Sequence, residues 1–138
     1  MKTDNRQQTT LSFPLSVNSG RMFCTIKGLR CFVDTGSPHT FFQAPVQGWK
    51  YLFRQETGIM KTPAGSLAPD VWEGEFMGVK RNRMVANLSA LFLSDIGRFD
   101  VLLGLDVLHE HNGVINIPEK TLVFHGKDYL SRIGSVWV

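Results

Sequence analysis

Cysteine is scarce in this chain: there are two in 138 residues, Cys24 and Cys31. Two thiols cannot build a disulfide framework, and no cysteine spacing typical of a metal site occurs. Lys27-Gly28 reads as a two-residue turn that would set the two cysteines opposite each other. In a cytosolic protein they read as buried thiols on one sheet face. No apolar run approaches the length of a membrane span, which argues against a membrane helix. Met1 to Thr10 is polar and has no apolar h-region, so the sequence predicts no secretory signal and a cytoplasmic location. Strong charge of either sign is also missing, the net charge being +3. The one dense basic cluster, Lys80-Arg81-Asn82-Arg83, lies between two apolar runs and reads as a solvated hairpin turn. Nucleic acid is therefore not an expected partner.

What is present is a succession of short strands. Thr10 to Val17 alternates apolar and polar residues, as a half-buried strand does. Asn18-Ser19-Gly20 is a turn, Met22 to Ile26 a strand, and Leu29 to Val33 another. Trp49 to Phe53 reads as a strand or a short helix. Pro63 and Pro69 flank a turn and suit an exposed hairpin arm. Val71 to Val79 and Met84 to Leu93 read as strands joined at the basic cluster. Leu105 to His111 alone has helical character, and Asn112-Gly113 ends it. Val114 to Ile117 and Thr121 to Phe124 form a last hairpin. The expected organisation is a flexible lead over 1–9 and a single domain over 10–138. The expected fold is all-β, a small closed barrel with one short helix near the C-terminus.

Two stretches carry chemistry. In Phe32-Val33-Asp34-Thr35-Gly36-Ser37, an acid ends an apolar strand on a tight loop. Burial there raises the cost of ionising the carboxyl, Gly36 lets backbone come close to it, and Thr35 and Ser37 bring hydroxyls that can hold the loop and the acid. A hydroxyl from Ser37 beside the carboxylate would favour its charged form and shift activity to lower pH than in a Ser37→Ala variant. In the second stretch, the apolar run Val101-Leu102-Leu103 meets Gly104 and passes into Leu105-Asp106-Val107-Leu108.

With these residues in this order, the chain resembles the retropepsin-like aspartic proteases. That family includes retroviral and retrotransposon proteases and the protease domain of DNA-damage-inducible proteins. The resemblance rests on Val33-Asp34-Thr35-Gly36, on a hairpin with a glycine near its tip (Thr62 to Ser66), and on Leu102-Leu103-Gly104 leading into Leu105 to Leu108 and His111 to Asn116. It spans about residues 10 to 125. It implies a peptide-hydrolysing homodimer in which Asp34 of each chain is catalytic. Thr35 would bond across the dimer axis. Gly36 would let the loop pack closely, and Leu102, Leu103 and Gly104 would cross beneath the loop and support it. Pro63, Ala64, Gly65 and Ser66 would form a flap over an extended peptide or protein substrate. No cofactor, metal or membrane is implied. The chain holds one Asp-Thr-Gly and no second copy, so a two-fold axis would have to supply the second acid.

Other residues have plainer readings. Asp100 and Asp106 read as structural, at a strand start and a helix start. His39 reads as a surface residue. Asp106, His109 and His111 do not share a helix face, which argues against a metal site. The tail Ile133 to Val138 reads as a dimer strand or an exposed edge. Three other functional classes stay open: an inactive scaffold of the same kind acting as a dimerisation module, a small basic barrel that binds nucleic acid, and a hydrolase with two carboxylates in one chain.

Overall fold

A computed structural model describes residues 9–56, 60–62, 65–92 and 97–126. Among them the chain is mostly β with one short helix. The strands are β1 (Thr9–Pro14), β2 (Ser16–Asn18), β3 (Arg21–Ile26), β4 (Leu29–Val33), β5 (Phe41–Phe42), β6 (Lys50–Arg54), β7 (Met60–Thr62), β8 (Gly65–Leu67), β9 (Asp70–Phe76), β10 (Val79–Val85), β11 (Val101–Leu103), β12 (Gly113–Asn116) and β13 (Thr121–Gly126). The helix, α1, is Leu105–Glu110.

Tight turns set the first hairpins. Ser19-Gly20 joins β2 to β3, and Lys27-Gly28 joins β3 to β4, with positive φ at both residues of each pair. Such turns match the right-handed twist of the strands they connect, and glycine adopts them at little cost. Cys24 and Cys31 consequently face each other across β3 and β4, both buried and both free. Thr9, expected in the flexible lead, already pairs with Gly126.

The basic cluster is not a turn. The chain reverses at Met77-Gly78, again with positive φ at both, and Lys80 to Arg83 lie within β10. The reason is packing: the Met77 side chain is completely buried, and Arg83 is buried too. The Arg83 guanidinium donates to the carbonyls of Gly74, Phe76 and Val79, so it fastens the hairpin from inside. Lys80 stands opposite Glu75 in the β9–β10 register, and Arg81 pairs with Glu110 at 2.7 Å.

Eight strands form one sheet in the order β2-β3-β4-β11-β5-β10-β9-β6; β1-β13-β12 form a second and β7-β8 a third. Among the described residues no sheet closes on itself, in contrast to the closed barrel that the strand pattern suggests. The large sheet ends at β2 on one side and β6 on the other. Strand-like periodicity predicts strands, but closure depends on edges meeting, which no local pattern encodes.

The centre of the large sheet is apolar on both faces. Cys31, Val33, Phe42, Val101 and Leu103 join a core shared with Leu122 and Phe124 of the second sheet. On the other face Phe41 and Leu102 pack with Phe23, Leu88 and Phe99, and Phe32 lies against them. Strands covered on both sides read as continuous apolar runs, which is why Cys31 to Val33 and Val101 to Leu103 lack alternation.

Candidate active site

β11 lies between β4 and β5, parallel to the first and antiparallel to the second. The loop that carries the chain from β4 to β5, residues 34–40, must therefore pass around the end of β11. That topology puts Asp34 directly against the β11–α1 junction.

Asp34 is half-buried, while Thr35 and Gly36 are exposed. The Asp34 amide donates to the Leu103 carbonyl at 2.9 Å. The Gly36 amide donates back to Asp34 Oδ1 at 3.0 Å, and the Ser37 amide to the Asp34 carbonyl at 3.1 Å. A Cβ on Gly36 would stand 3.3 Å from Asp34 Oδ1, a tight but not prohibitive contact. The loop thus curls so that its own backbone holds the carboxylate.

The junction holds the loop from below. The Leu105 amide donates to the Ser37 carbonyl at 2.8 Å and the Asp106 amide to the Pro38 carbonyl at 3.3 Å. These are donors that the first turn of a helix leaves without partners of its own. At Gly104, an added Cβ would lie 2.3 Å from the His39 carbonyl oxygen and 2.7 Å from that of Ser37. Only a residue without a side chain lets the two backbones approach this closely.

Ser37 holds the loop and not the carboxylate. Its hydroxyl donates to the His39 carbonyl at 2.7 Å, so it braces the loop and is not a donor to Asp34. His39 is exposed, as expected, its ring edge-on to Phe41.

The other acids near this region are committed to backbone. Asp100 Oδ2 accepts from the Arg30 amide at 2.9 Å, and the Asp100 amide donates to the Arg30 carbonyl at 2.7 Å. Asp106 accepts from the amide of Thr40 at 3.1 Å, from the Thr40 hydroxyl at 2.6 Å, and from the Val107 amide at 2.7 Å. The link between Thr40 and Asp106 was not legible in the sequence. Thr40 reads only as part of the apolar stretch Thr40-Phe41-Phe42, and an acid in a first helical turn is explained by the dipole alone.

Gly65 and Ser66 lie on β8, and Thr62 pairs with Gly65; Pro63 and Ala64 lie outside the described residues, as does the tail Ile133 to Val138. β6 pairs with β9 from Lys50↔Glu73 to Arg54↔Asp70, and Gln55 donates to the Pro69 carbonyl at 2.9 Å. The strands on either side of 63–64 are therefore hairpin arms, as the flanking prolines suggest.

Among the described residues no cluster of three or more His, Cys, Asp or Glu side chains is arranged to hold a metal, and no helix is long and apolar enough to cross a membrane. His109 is exposed and His111 buried. Desolvation lowers the pKa of His111, with Arg83 and Arg81 adding to the effect and Glu110 opposing it. No protein-family model matches the chain, and no curated protein matches it.

Proposed function

We propose that this chain is an aspartic endopeptidase of the retropepsin type, working as a homodimer with Asp34 of each copy in one site. The observation that carries the reading is the seating of Asp34. The half-buried Asp34 has its carboxylate held by the Gly36 amide and its own amide donated to the Leu103 carbonyl, with the exposed Thr35-Gly36 face turned outward. The placing of β11 between β4 and β5 supports it as well, because the resemblance requires Leu102, Leu103 and Gly104 to run beneath the acid loop. On this reading the mostly β fold with one short helix belongs to the retropepsin architecture.

A lone carboxylate cannot both activate water and protonate the scissile carbonyl. Asp100 and Asp106 are occupied by backbone donors, and with a single Asp-Thr-Gly in the chain the second acid is assigned to a second copy. Two carboxylates brought together share one proton, because like charges a few ångströms apart resist joint ionisation. The ionised one takes a proton from bound water, and the protonated one polarises the peptide carbonyl. The titration then belongs to the pair. Thr35 bonds across the axis, and Ser66 and its neighbours close over an extended peptide that gains main-chain hydrogen bonds.

The basic residues do not favour a nucleic-acid reading. Arg83 is spent on carbonyls inside the hairpin, Arg81 on Glu110, and Lys80 faces Glu75. The test is cleavage of a peptide library by wild type and Asp34→Asn from acidic to neutral pH, with mass-spectrometric readout and sedimentation alongside. Cleavage by wild-type dimers alone supports the proposal. Dimers that never cleave point to an inactive dimerisation module, and activity in monomers points to a one-chain hydrolase.

A further inference from the structure

Gly104 is buried at the point where the β4–β11 ladder ends at Leu103. Its amide would be an orphan there, at real cost, but for the Thr40 hydroxyl, which accepts from it at 2.9 Å. Thr40 is itself 5% exposed. A hydroxyl has one proton and two lone pairs. The proton goes to Asp106 Oδ1 at 2.6 Å, and that commitment leaves a lone pair for Gly104. The reverse order is impossible, because a backbone N–H can only donate.

We infer that Thr40 and Asp106 are positioning residues for the Asp34 loop: the Asp106 carboxylate orients the Thr40 hydroxyl, which pins the Gly104 amide beneath the acid. Gly104 stands between Leu103, whose carbonyl receives the Asp34 amide, and Leu105, whose amide reaches the Ser37 carbonyl. A displacement at Gly104 therefore moves both supports of the loop at once. Asp106 is suited to this by having two acceptor oxygens. Thr40 presents its amide to one and its hydroxyl to the other, and the Val107 amide adds a third donor. In Asp106→Asn, an NH₂ group would face one of these donors.

The kinetic consequence rests on the endopeptidase reading; the structural consequence does not. The experiment compares wild type with Thr40→Val, which keeps the shape but loses the hydroxyl, with Thr40→Ser, which restores it, and with Asp106→Asn. Amide hydrogen exchange is read at Asp34 and Leu105 and, as a reference, along β3. In Thr40→Val and Asp106→Asn, exchange at Asp34 and Leu105 rises about tenfold or more while β3 keeps its protection, and Thr40→Ser stays within about threefold of wild type. On a cleaved peptide, kcat falls about 10- to 100-fold in the same two variants with KM within about threefold, and Thr40→Ser regains most of it. Should Thr40→Val not fold, Asp106→Asn against Thr40→Ser makes the same comparison. The inference is overturned if exchange at Asp34 and Leu105 stays at the wild-type rate, or if it rises equally along β3. A change in KM alone also overturns it. A wild type that cleaves no peptide defeats the endopeptidase reading, and the exchange rates still decide this one.

Discussion

The amide of Asp34 donates to the carbonyl of Leu103 across a parallel strand pair, at 2.9 Å. The acid and the glycine-to-helix junction, far apart in the chain, are thus tied by backbone. The loop's geometry depends on how closely two main chains can approach.

Gly104→Ala tests that approach directly. The new Cβ meets carbonyl oxygens of His39 and Ser37, which are backbone atoms and cannot rotate away. The expected cost is about 2–3 kcal/mol of stability, as overpacking of this kind produces. Urea denaturation reads it, and a loss below about 0.5 kcal/mol, the range of an ordinary surface substitution, would contradict the geometry.

Ser37→Ala separates two roles of one hydroxyl. The bond runs to the His39 carbonyl, so its removal should cost about 0.5–1.5 kcal/mol, a typical net hydrogen bond. The pH–activity profile should keep its position. A profile displaced toward higher pH would instead show that the hydroxyl serves the Asp34 carboxylate.

Arg83 and its basic neighbours should differ sharply. Arg83→Ala removes the guanidinium bonds to the carbonyls of Gly74, Phe76 and Val79 and should cost about 2–4 kcal/mol, as loss of a buried network does. Lys80→Ala and Arg81→Ala should each cost less than about 1 kcal/mol, the usual worth of exposed charges. Thermal melts of the three variants decide it; equal losses would mean that the cluster acts as a surface unit.

His111 makes stability depend on pH. Its folded pKa is depressed because burial disfavours the charged ring. Below the ordinary histidine value, 6.5, the unfolded chain binds a proton that the native state refuses. Its contribution is therefore fully present above that pH and is lost as pH falls through the depressed folded value. His111→Gln should flatten the fall in unfolding free energy between neutral and mildly acidic pH. An unchanged slope in urea titrations would remove His111 as its source.

Cys31 should be inert while the chain is folded. Its thiol is held well above its ordinary pKa by the hydrogen-bonded contact with Cys24 and by burial, and the thiolate is the reactive form. A maleimide should label neither cysteine at neutral pH until denaturant is added. Rapid labelling of native protein would show that β3 and β4 open readily.

Much of the fold was legible because its signals are local. Val33 to Gly36, the turns at Ser19-Gly20 and Lys27-Gly28, and the short helix after Gly104 each follow from a few adjacent residues. Periodicity misplaced the β9–β10 reversal by several positions, because the decisive fact there is that Met77 and Arg83 are both buried.

By itself, then, the sequence determined a mostly β chain with an acid at a strand end and a glycine before a short helix. These depend on chirality, side-chain alternation and the freedom of glycine, which act between neighbours. Only the tertiary structure decided that β11 enters between β4 and β5, that Ser37 turns to His39, and that Thr40 and Asp106 meet under the loop. Those outcomes depend on which backbone groups are left without partners once the sheet has assembled, and residues distant in the chain must satisfy them.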